Sequence, residues 1–474
     1  MTEILDTLNY IAWGPWMLVL LVGTGVYISI RLGFMQFRKF GYAMKNTLGK
    51  IFTKQEAGEG EITPFQSVTT ALAATVGTGN IAGVTGAIAI GGPGAVFWMW
   101  VSALFGMLTK YSEVVLAVHF RERNEKGEWA GGPMYYIKNG LGKKWNWLAI
   151  FFCIMAAIAA LGVGNMTQIN TITTSINTAI DAFGGNTAAN AVMIFGNPVP
   201  VTSLVIGILT AIIVAVVLFG GTKRIGSVTE KLVPFMAVVY ILAAIVVVLF
   251  NVDSVGRVFA MIFEGAFNPQ AVTGGAVGVV LMTTIQKGIG RGVFSNEAGL
   301  GSAPMAHAST SEKNPVKQGL YGIFEVFIST MLICTLTALV VLCGVDKGVN
   351  VAWGKDAGTN LVIASFGLIF GQQVGALLIA VAIGLFSLST ILGWALYGCR
   401  CCEFMFGSKS IPVYQVIYVL MTVLGAMLEL DVVWSISDTM NGFMAIPNLI
   451  AVLCLSGVVI KLTKEHFNEH KLQK

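Results

Sequence analysis

Ala74-Thr75-Val76-Gly77-Thr78-Gly79-Asn80 sits in the middle of an apolar run that is otherwise long enough to be a membrane helix. Gln286-Lys287-Gly288-Ile289-Gly290-Arg291-Gly292 sits the same way in another. Glycine weakens a helix interior by about 1 kcal/mol relative to alanine, so a Gly-x-Gly at mid-span predicts an interruption. Five helices separate the starts of the two spans. Five is odd, so the second copy enters from the opposite face, the pattern of an inverted repeat with one broken helix in each half. A half-helix end leaves backbone groups unpaired. Its N–H groups can hold a carboxylate and its carbonyls a dehydrated cation. Such backbone is tolerable at membrane depth only where protein buries it. Close helix packing is the competing use of these glycines, since Gly79 and Gly83 form a GxxxG. The polar neighbours Asn80, Gln286 and Arg291 favour a site.

The rest of the chain supplies the membrane. Of 474 residues, 55% are hydrophobic and 11% charged, against about 25% charged in soluble domains. The apolar residues fall in runs of roughly 20, the length of helix that crosses the hydrocarbon core. Eleven spans are expected, at about 11–31, 65–90, 94–119, 147–180, 201–220, 229–250, 272–307, 318–344, 373–400, 411–429 and 436–460. The fold class is thus an all-α polytopic membrane protein of about 11 transmembrane helices. Trp13, Trp16, Trp145 and Trp147 stand near span ends, as interfacial belts require. The acidic MTEILD before the first span lacks a basic n-region, so that span reads as a retained helix. Six segments on one side hold 23 of the 29 Lys and Arg, and only Arg257, Lys347 and Lys355 lie on the other. The positive-inside rule then puts the amino terminus outside and the carboxyl terminus in the cytoplasm.

Several functions are excluded. The net charge of +5 is scattered over short loops, with no basic stripe for nucleic acid. The seven cysteines form no CxxC pair and read as packing thiols. GTGNIAG has GxGxxxG spacing and no βαβ context, so it is not a dinucleotide fingerprint, and no Walker motif is present. An ion channel would need a continuous pore with a filter, which duplicated broken helices do not supply. No nucleophile–base set or paired carboxylates suggest an enzyme.

The fourth span is unusually polar, GVGNMTQINTITTSINTAI at 162–180. Asn165, Gln168 and Ile172 share one face by their 3–4 spacing and are expected to line the permeation path, interhelical hydrogen bonding being the alternative. Intramembrane charges are usually paired or functional. Lys110 and Glu113 are expected to pair locally, and Lys287, Arg291, Glu297 and Glu325 to form static or gating pairs. His119 and His307 suggest no role.

Residues 91–106, GGPGAVFWMWVSALFG, resemble the signature of the sodium:alanine (alanine or glycine:cation) symporter family. PFQSVTTALAATVGTGNIAGV (64–84), GRGVFSNEAGLGSAPMAHA (290–308), GFMQFRKF (33–40) and GGPMYYIKNGLG (131–142) are similar to it as well. The resemblance implies a leucine-transporter-type 5+5 inverted repeat with one extra N-terminal helix. The corresponding boundaries are 1–64 for the extra helix and loop, 65–270 and 271–461 for the repeats, and 462–474 for a cytoplasmic tail. It implies a substrate site at the two breaks, from Thr75, Gly77, Thr78, Gly79 and Asn80 on one side and Gln286 and Gly288 on the other, with Trp394 as a wall. It also implies sodium ligands among Thr75, Thr78, Ser387, Ser389 and Thr390, oxygen donors that suit a hard cation. The expected activity is Na+-coupled inward symport of a small neutral amino acid by alternating access. Alanine and glycine are the default substrates, with serine, glutamine or D-alanine as further candidates. Na+ is the expected coupling ion, with H+ the alternative, and no cofactor is expected. The setting is the lipid bilayer of a prokaryotic cytoplasmic (inner) membrane, with no nucleic-acid partner; oligomeric state is left open.

Overall fold

The structure, a computed structural model, describes residues 2–50, 57–58, 61–194, 196–273, 280–428 and 431–472. Pro15 at the first helical position starts α2 (Pro15–Arg31), which follows α1 (Thr2–Trp13) across Gly14. A β-carbon at Gly14 would stand 2.4 Å from the Tyr10 carbonyl, so glycine permits this junction.

The second span begins with reciprocal capping. Thr63 Oγ1 accepts the Gln66 N–H at 3.1 Å and Gln66 Oε1 accepts the Thr63 N–H at 3.1 Å, which satisfies donors that the helix start would orphan. Pro64 at N1 adds a preset backbone angle. The resulting α3 (Pro64–Thr75) stops where the sequence places Gly-x-Gly. Val76 and Gly77 leave the helical region, Thr78–Asn80 forms one 3₁₀ turn, and α4 (Ala82–Gly91) resumes. The first expected break is present.

Next come α5 (Ala95–His119), continuous over 25 residues, and a short hairpin of β1 (Glu122–Arg123) with β2 (Trp129–Ala130). α6 (Asn146–Leu161) and α7 (Thr167–Ala182) join through a π turn, Gly162–Met166. α8 (Val201–Leu218), α9 (Gly221–Phe250) and α10 (Val252–Gly265) follow. Val205, Ile208, Leu209 and Val216 of α8, with Phe235, Val238, Leu242 and Leu249 of α9, are exposed. An apolar surface this extensive suits lipid, not water.

The seventh span corrects the expectation. α11 (Leu281–Asn296) runs unbroken through Gln286, Gly288 and Gly290. Gly288 and Gly292 are contact glycines instead: a β-carbon would stand 2.5 Å from the Ala95 carbonyl at the first and 2.1 Å from Ser102 Oγ at the second. They let α11 lie close on α5, the small-residue packing that membrane helices favour. The break comes nine to thirteen residues after Gly288. Glu297 takes a left-handed backbone (φ 55°), followed by Gly299 (φ 92°) and Gly301 (φ 80°). α12 (Pro304–His307) is the short piece beyond it.

α13 (Pro315–Val326), a π segment Phe327–Cys334 and α14 (Thr335–Asp346) make one long span. α15 (Asn360–Phe370), α16 (Gln372–Phe406) and α17 (Ile411–Gly425) follow. α18 (Asp431–Cys454) and α19 (Ser456–Leu472) close the chain, and α19 carries helix through most of the expected tail. Among the described residues, seven helices are long and apolar enough to cross a bilayer alone, and α18 with α19, bent by 56°, makes an eighth. The broken spans are left out of that number because each half is short.

Candidate functional site

The break after α3 is pinned from two sides. Asn80 Oδ1 accepts the Gly77 N–H at 3.1 Å, and its Nδ2 donates to the Ser329 carbonyl at 3.1 Å and to Ser329 Oγ at 3.0 Å. Thr337 Oγ1 donates to the Asn80 carbonyl at 2.9 Å. Asn80 therefore holds the unwound segment against the π segment, and both of its amide ends are used there.

On the opposite side the break meets α16. Ser389 Oγ lies 3.2 Å from the Ala73 carbonyl and 2.7 Å from that of Phe386, and Thr390 Oγ1 lies 3.1 Å and 3.0 Å from the same two. Two hydroxyl and two carbonyl oxygens thus form one buried cluster at the end of a half-helix. That is the donor set a hard cation takes, placed where the helix dipole is negative. Gly77 makes the approach possible: a β-carbon there would stand 2.4 Å from Thr390 Oγ1. Gly393 serves the same contact, with Ala74 N only 2.7 Å from where its β-carbon would be. Ser387, also expected to ligate, lies apart; its hydroxyl is buried with no hydrogen-bond partner among the described residues. Thr75 is committed elsewhere, its hydroxyl 2.7 Å from both the Ala71 carbonyl and Glu325 Oε1.

Beside the cluster lies a cavity of about 10 Å³, the room one water needs, lined by Thr75, Gly77, Gly79, Gln168, Thr390 and Trp394 among others. Gln168 donates through Nε2 to the Val163 carbonyl at 3.0 Å, while its Oε1 is buried and unpartnered. Asn441 Oδ1, from α18, is a second unpartnered acceptor on the cavity wall. Glu297 lines it too, bonded by Ser302 Oγ at 2.5 Å and by Trp394. Phe294 closes the cavity and also lines a larger vestibule of about 490 Å³ that holds Thr78, Gly83, Arg291, Asp356 and Asp438.

The other expected residues separate. Asn165 is satisfied by α17: its Nδ2 donates to the Tyr418 carbonyl at 2.7 Å and its Oδ1 accepts from Thr422 Oγ1 at 2.9 Å. Ile172 is core. The π turn explains the split, since the extra residue in it rotates Asn165 out of phase with Gln168. Gln286 lines a third cavity of about 310 Å³ beside Lys287, Arg291 and Asp438. Gly288 packs on α5.

The charges also pair differently from expectation. Lys110 Nζ lies 3.0 Å from Glu325 Oε1 and donates to the Asn296 carbonyl at 2.9 Å. His307 Nε2 lies 3.0 Å from Glu325 Oε2, and all three side chains are fully buried. Glu113 accepts the Gly299 N–H at 3.0 Å and bonds Asn448 instead of Lys110. Lys287, Arg291, Glu297 and Glu325 form no pair with one another within 4 Å among the described residues.

Just before α3 a set of contacts, here called the latch, ties Ile62 to the Ser309–Ser311 segment. Ile62 N–H donates to the Ser309 carbonyl at 3.1 Å, and Ser311 N–H donates to that of Ile62 at 2.8 Å. Arg121 donates to the carbonyls of Ala308 (3.0 Å), Thr310 (2.6 Å) and Glu312 (2.9 Å). The Trp129 ring lies between the Arg121 and Arg123 guanidiniums at 4.2 and 4.0 Å. Arg123 and Trp129 both donate to Glu61 Oε1, at 2.6 and 2.9 Å. Burial pushes the Glu61 carboxyl up, but these donors and the Gly58 N–H together bring it below its ordinary value. Burial brings the Arg121 guanidinium down to about 10, so it is still charged at neutral pH. The latch lies at the start of the broken second span, and the vestibule beside its break, against Thr78–Gly83.

Comparison with known proteins fits this geometry. The model of the sodium:alanine symporter family matches residues 1–474. A sodium/alanine symporter, AgcS, of Methanococcus maripaludis is 44% identical over 474 residues, covering 98% of this chain and 97% of that protein. A probable sodium/glutamine symporter, GlnT, of Bacillus subtilis is 34% identical, covering 100% and 92%. The crystal structure of MhsT in complex with L-phenylalanine superposes with a TM-score of 0.61 over 84% of this chain and 90% of that one. At 12% identity that likeness shows the fold alone, which is of the leucine-transporter type.

Proposed function

The chain belongs to the sodium:alanine symporter family, and from that membership we propose that it carries a small neutral amino acid into the cell with Na+ by alternating access. It is a transporter and not an enzyme. The observation that carries the reading is the convergence of Ala73, Phe386, Ser389 and Thr390 oxygens beside a small cavity at the break of α3. Na+ sits among those four oxygens. The substrate sits next to it, its carboxylate on the N–H groups that begin the Thr78–Asn80 turn and its ammonium on Gln168 Oε1, the unpartnered acceptor. Trp394 and Phe294 bound the pocket. Every amino acid needs Phe294 or Trp394 to move before it fits this cavity; alanine and glycine need the least such movement, with serine and D-alanine the next to test and glutamine needing the most.

The repeats run from 65 to 270 and from 271 to 461, with their breaks at Val76–Ile81 and Glu297–Ala303. The chain lies in a prokaryotic inner membrane with its amino terminus outside, so the vestibule faces out and the latch faces the cytoplasm. Closed latch and open vestibule then support an outward-facing state. The driving force is adequate: 100 mV and a tenfold gradient supply roughly 3.7 kcal/mol per Na+, enough for several-hundred-fold accumulation.

The test is uptake of labelled glycine, L-alanine, D-alanine, L-serine and L-glutamine into proteoliposomes, with and without an inward sodium gradient. Na+-stimulated uptake that ranks the smallest substrates first is expected. Uptake that ignores sodium, or that prefers glutamine, would overturn the ion or the substrate assignment respectively.

A further inference from the structure

Both broken helices end at the same buried spot. α3 finishes at Thr75 and α11 at Asn296, so two helix C-termini, each equivalent to about half a negative charge, converge there. The Glu325 carboxyl stands between them, touched by Thr75 Oγ1 at 2.7 Å and His307 at 3.0 Å. Glu113 and Glu297 lie within range of the same charge. So much negative potential in a site without solvent requires a cation. Lys110 supplies it from α5: its ammonium takes a terminal carbonyl, Asn296 at 2.9 Å, and a carboxylate oxygen, Glu325 at 3.0 Å.

These are the oxygens a sodium ion would take. With the ammonium in place they are already coordinated, and an ion needing ligands at about 2.4 Å has no room among them. The Ala73–Phe386–Ser389–Thr390 cluster differs in kind, because its four oxygens are neutral and, among the described residues, no Lys or Arg side chain hydrogen-bonds to them. We propose that Lys110 is a tethered cation standing in for a second coupling ion, so that one Na+, held at the Ser389–Thr390 cluster, accompanies each substrate. This rests on the Na+-symport reading above. A tethered cation keeps the ends of α3 and α11 joined through the transport cycle, whereas a free ion would leave with the substrate.

Equilibrium binding of radiolabelled sodium to the purified transporter tests it without presuming a substrate. One site per chain is expected, lost in Thr390→Val and retained in Lys110→Arg. Two sites per chain in the native protein would overturn the tethered-cation proposal; none would sink the sodium reading itself. In proteoliposomes, L-alanine flux at a fixed sodium gradient and clamped potential should reverse where the alanine ratio matches the first power of the sodium driving ratio. Reversal at the second power overturns the proposal. Lys110→Ala vacates the oxygens and should raise the sodium Hill coefficient from one towards two and move the reversal point to the second power. A Lys110→Ala protein that transports with both values unchanged would also overturn it. Should that variant not fold, the binding count and reversal point of the native protein decide alone.

Discussion

Arg121→Met should release the latch between Ile62 and the Ser309–Ser311 segment. The substitution keeps the aliphatic stem against Trp129 but removes the three donors to Ala308, Thr310 and Glu312. Hydrogen bonds from a charged donor are each worth about 1.5–3 kcal/mol. Arg121 is partly buried, so water can replace part of each loss, and a combined figure of about 2–3 kcal/mol is reasonable. Stacking on Trp129 adds about 0.5–1 kcal/mol. The total of roughly 3 kcal/mol corresponds to about a hundredfold shift in the closed-to-open equilibrium. Hydrogen exchange read by mass spectrometry reports that equilibrium directly, because the Ile62 and Ser311 amides are bonded across the latch. In sodium-free buffer, peptides spanning 61–67 and 306–313 should exchange about a hundredfold faster in the variant, while peptides from 345–360 should not. Unchanged exchange at the latch would refute the reasoning. So would faster exchange everywhere, which would mean a less stable fold.

Other consequences are equally specific. Thr390→Val removes one hydroxyl oxygen with little change of volume and should weaken sodium activation of uptake by about ten- to a hundredfold, read from initial rates against sodium concentration. Gly77→Ala places a β-carbon 2.4 Å from Thr390 Oγ1 and should abolish uptake while leaving the membrane-inserted amount near native on blots; normal uptake would mean the break has slack. Gln168→Leu should raise the substrate KM at least tenfold without changing the melting temperature. Asn165→Ala should do the reverse, lowering the melting temperature through loss of its bonds to Tyr418 and Thr422 and leaving KM near native.

The first break was legible because glycines in an apolar span have few uses, and at Gly77 the use is both an unwound backbone and a close approach of α16. The same signal misled at Gly288. There the glycines keep helical angles and pack on α5, and composition cannot tell the two uses apart. The decisive stretch was nearby, Asn296-Glu297-Ala298-Gly299-Leu300-Gly301 before Pro304. A second Gly-x-Gly, preceded by a helix-ending asparagine and followed by a proline suited to a helix start, marks a stop and a restart. The polar face of α7 was misphased because a π turn does not show in a 3.6-residue count. Lys110 and Glu113 are helical neighbours in sequence, but each has a partner brought by another span, Glu325 and Asn448. Backbone carbonyls such as those of Ala73 and Phe386, which the proposed ion site uses, carry no side-chain signal at all. The latch was missed for the same reason: five of its bonds end on backbone carbonyls.

These parts are mechanically one object. α3 is a twelve-residue rod, about 18 Å long, with the Ile62 latch just before its start and the Ala73 carbonyl just before its end. At that end it is held by α16 through Ser389 and Thr390, and by α13 through Thr75 and Glu325. A sodium ion among the Ala73, Phe386, Ser389 and Thr390 oxygens bridges α3 to α16, so it favours whichever tilt of α3 brings those oxygens together. In the structure that tilt is the one with the latch closed. Binding linkage is reciprocal: if sodium stabilises the latch, then weakening the latch must weaken sodium binding in proportion to the latched fraction that is lost. On the proposed reading, sodium alone would hold the latch closed. On that reading the substrate would supply the contacts that release it, by drawing Phe294 and the Glu297–Ala303 break onto the cavity and pulling the Ser309–Ser311 segment of the latch through α12.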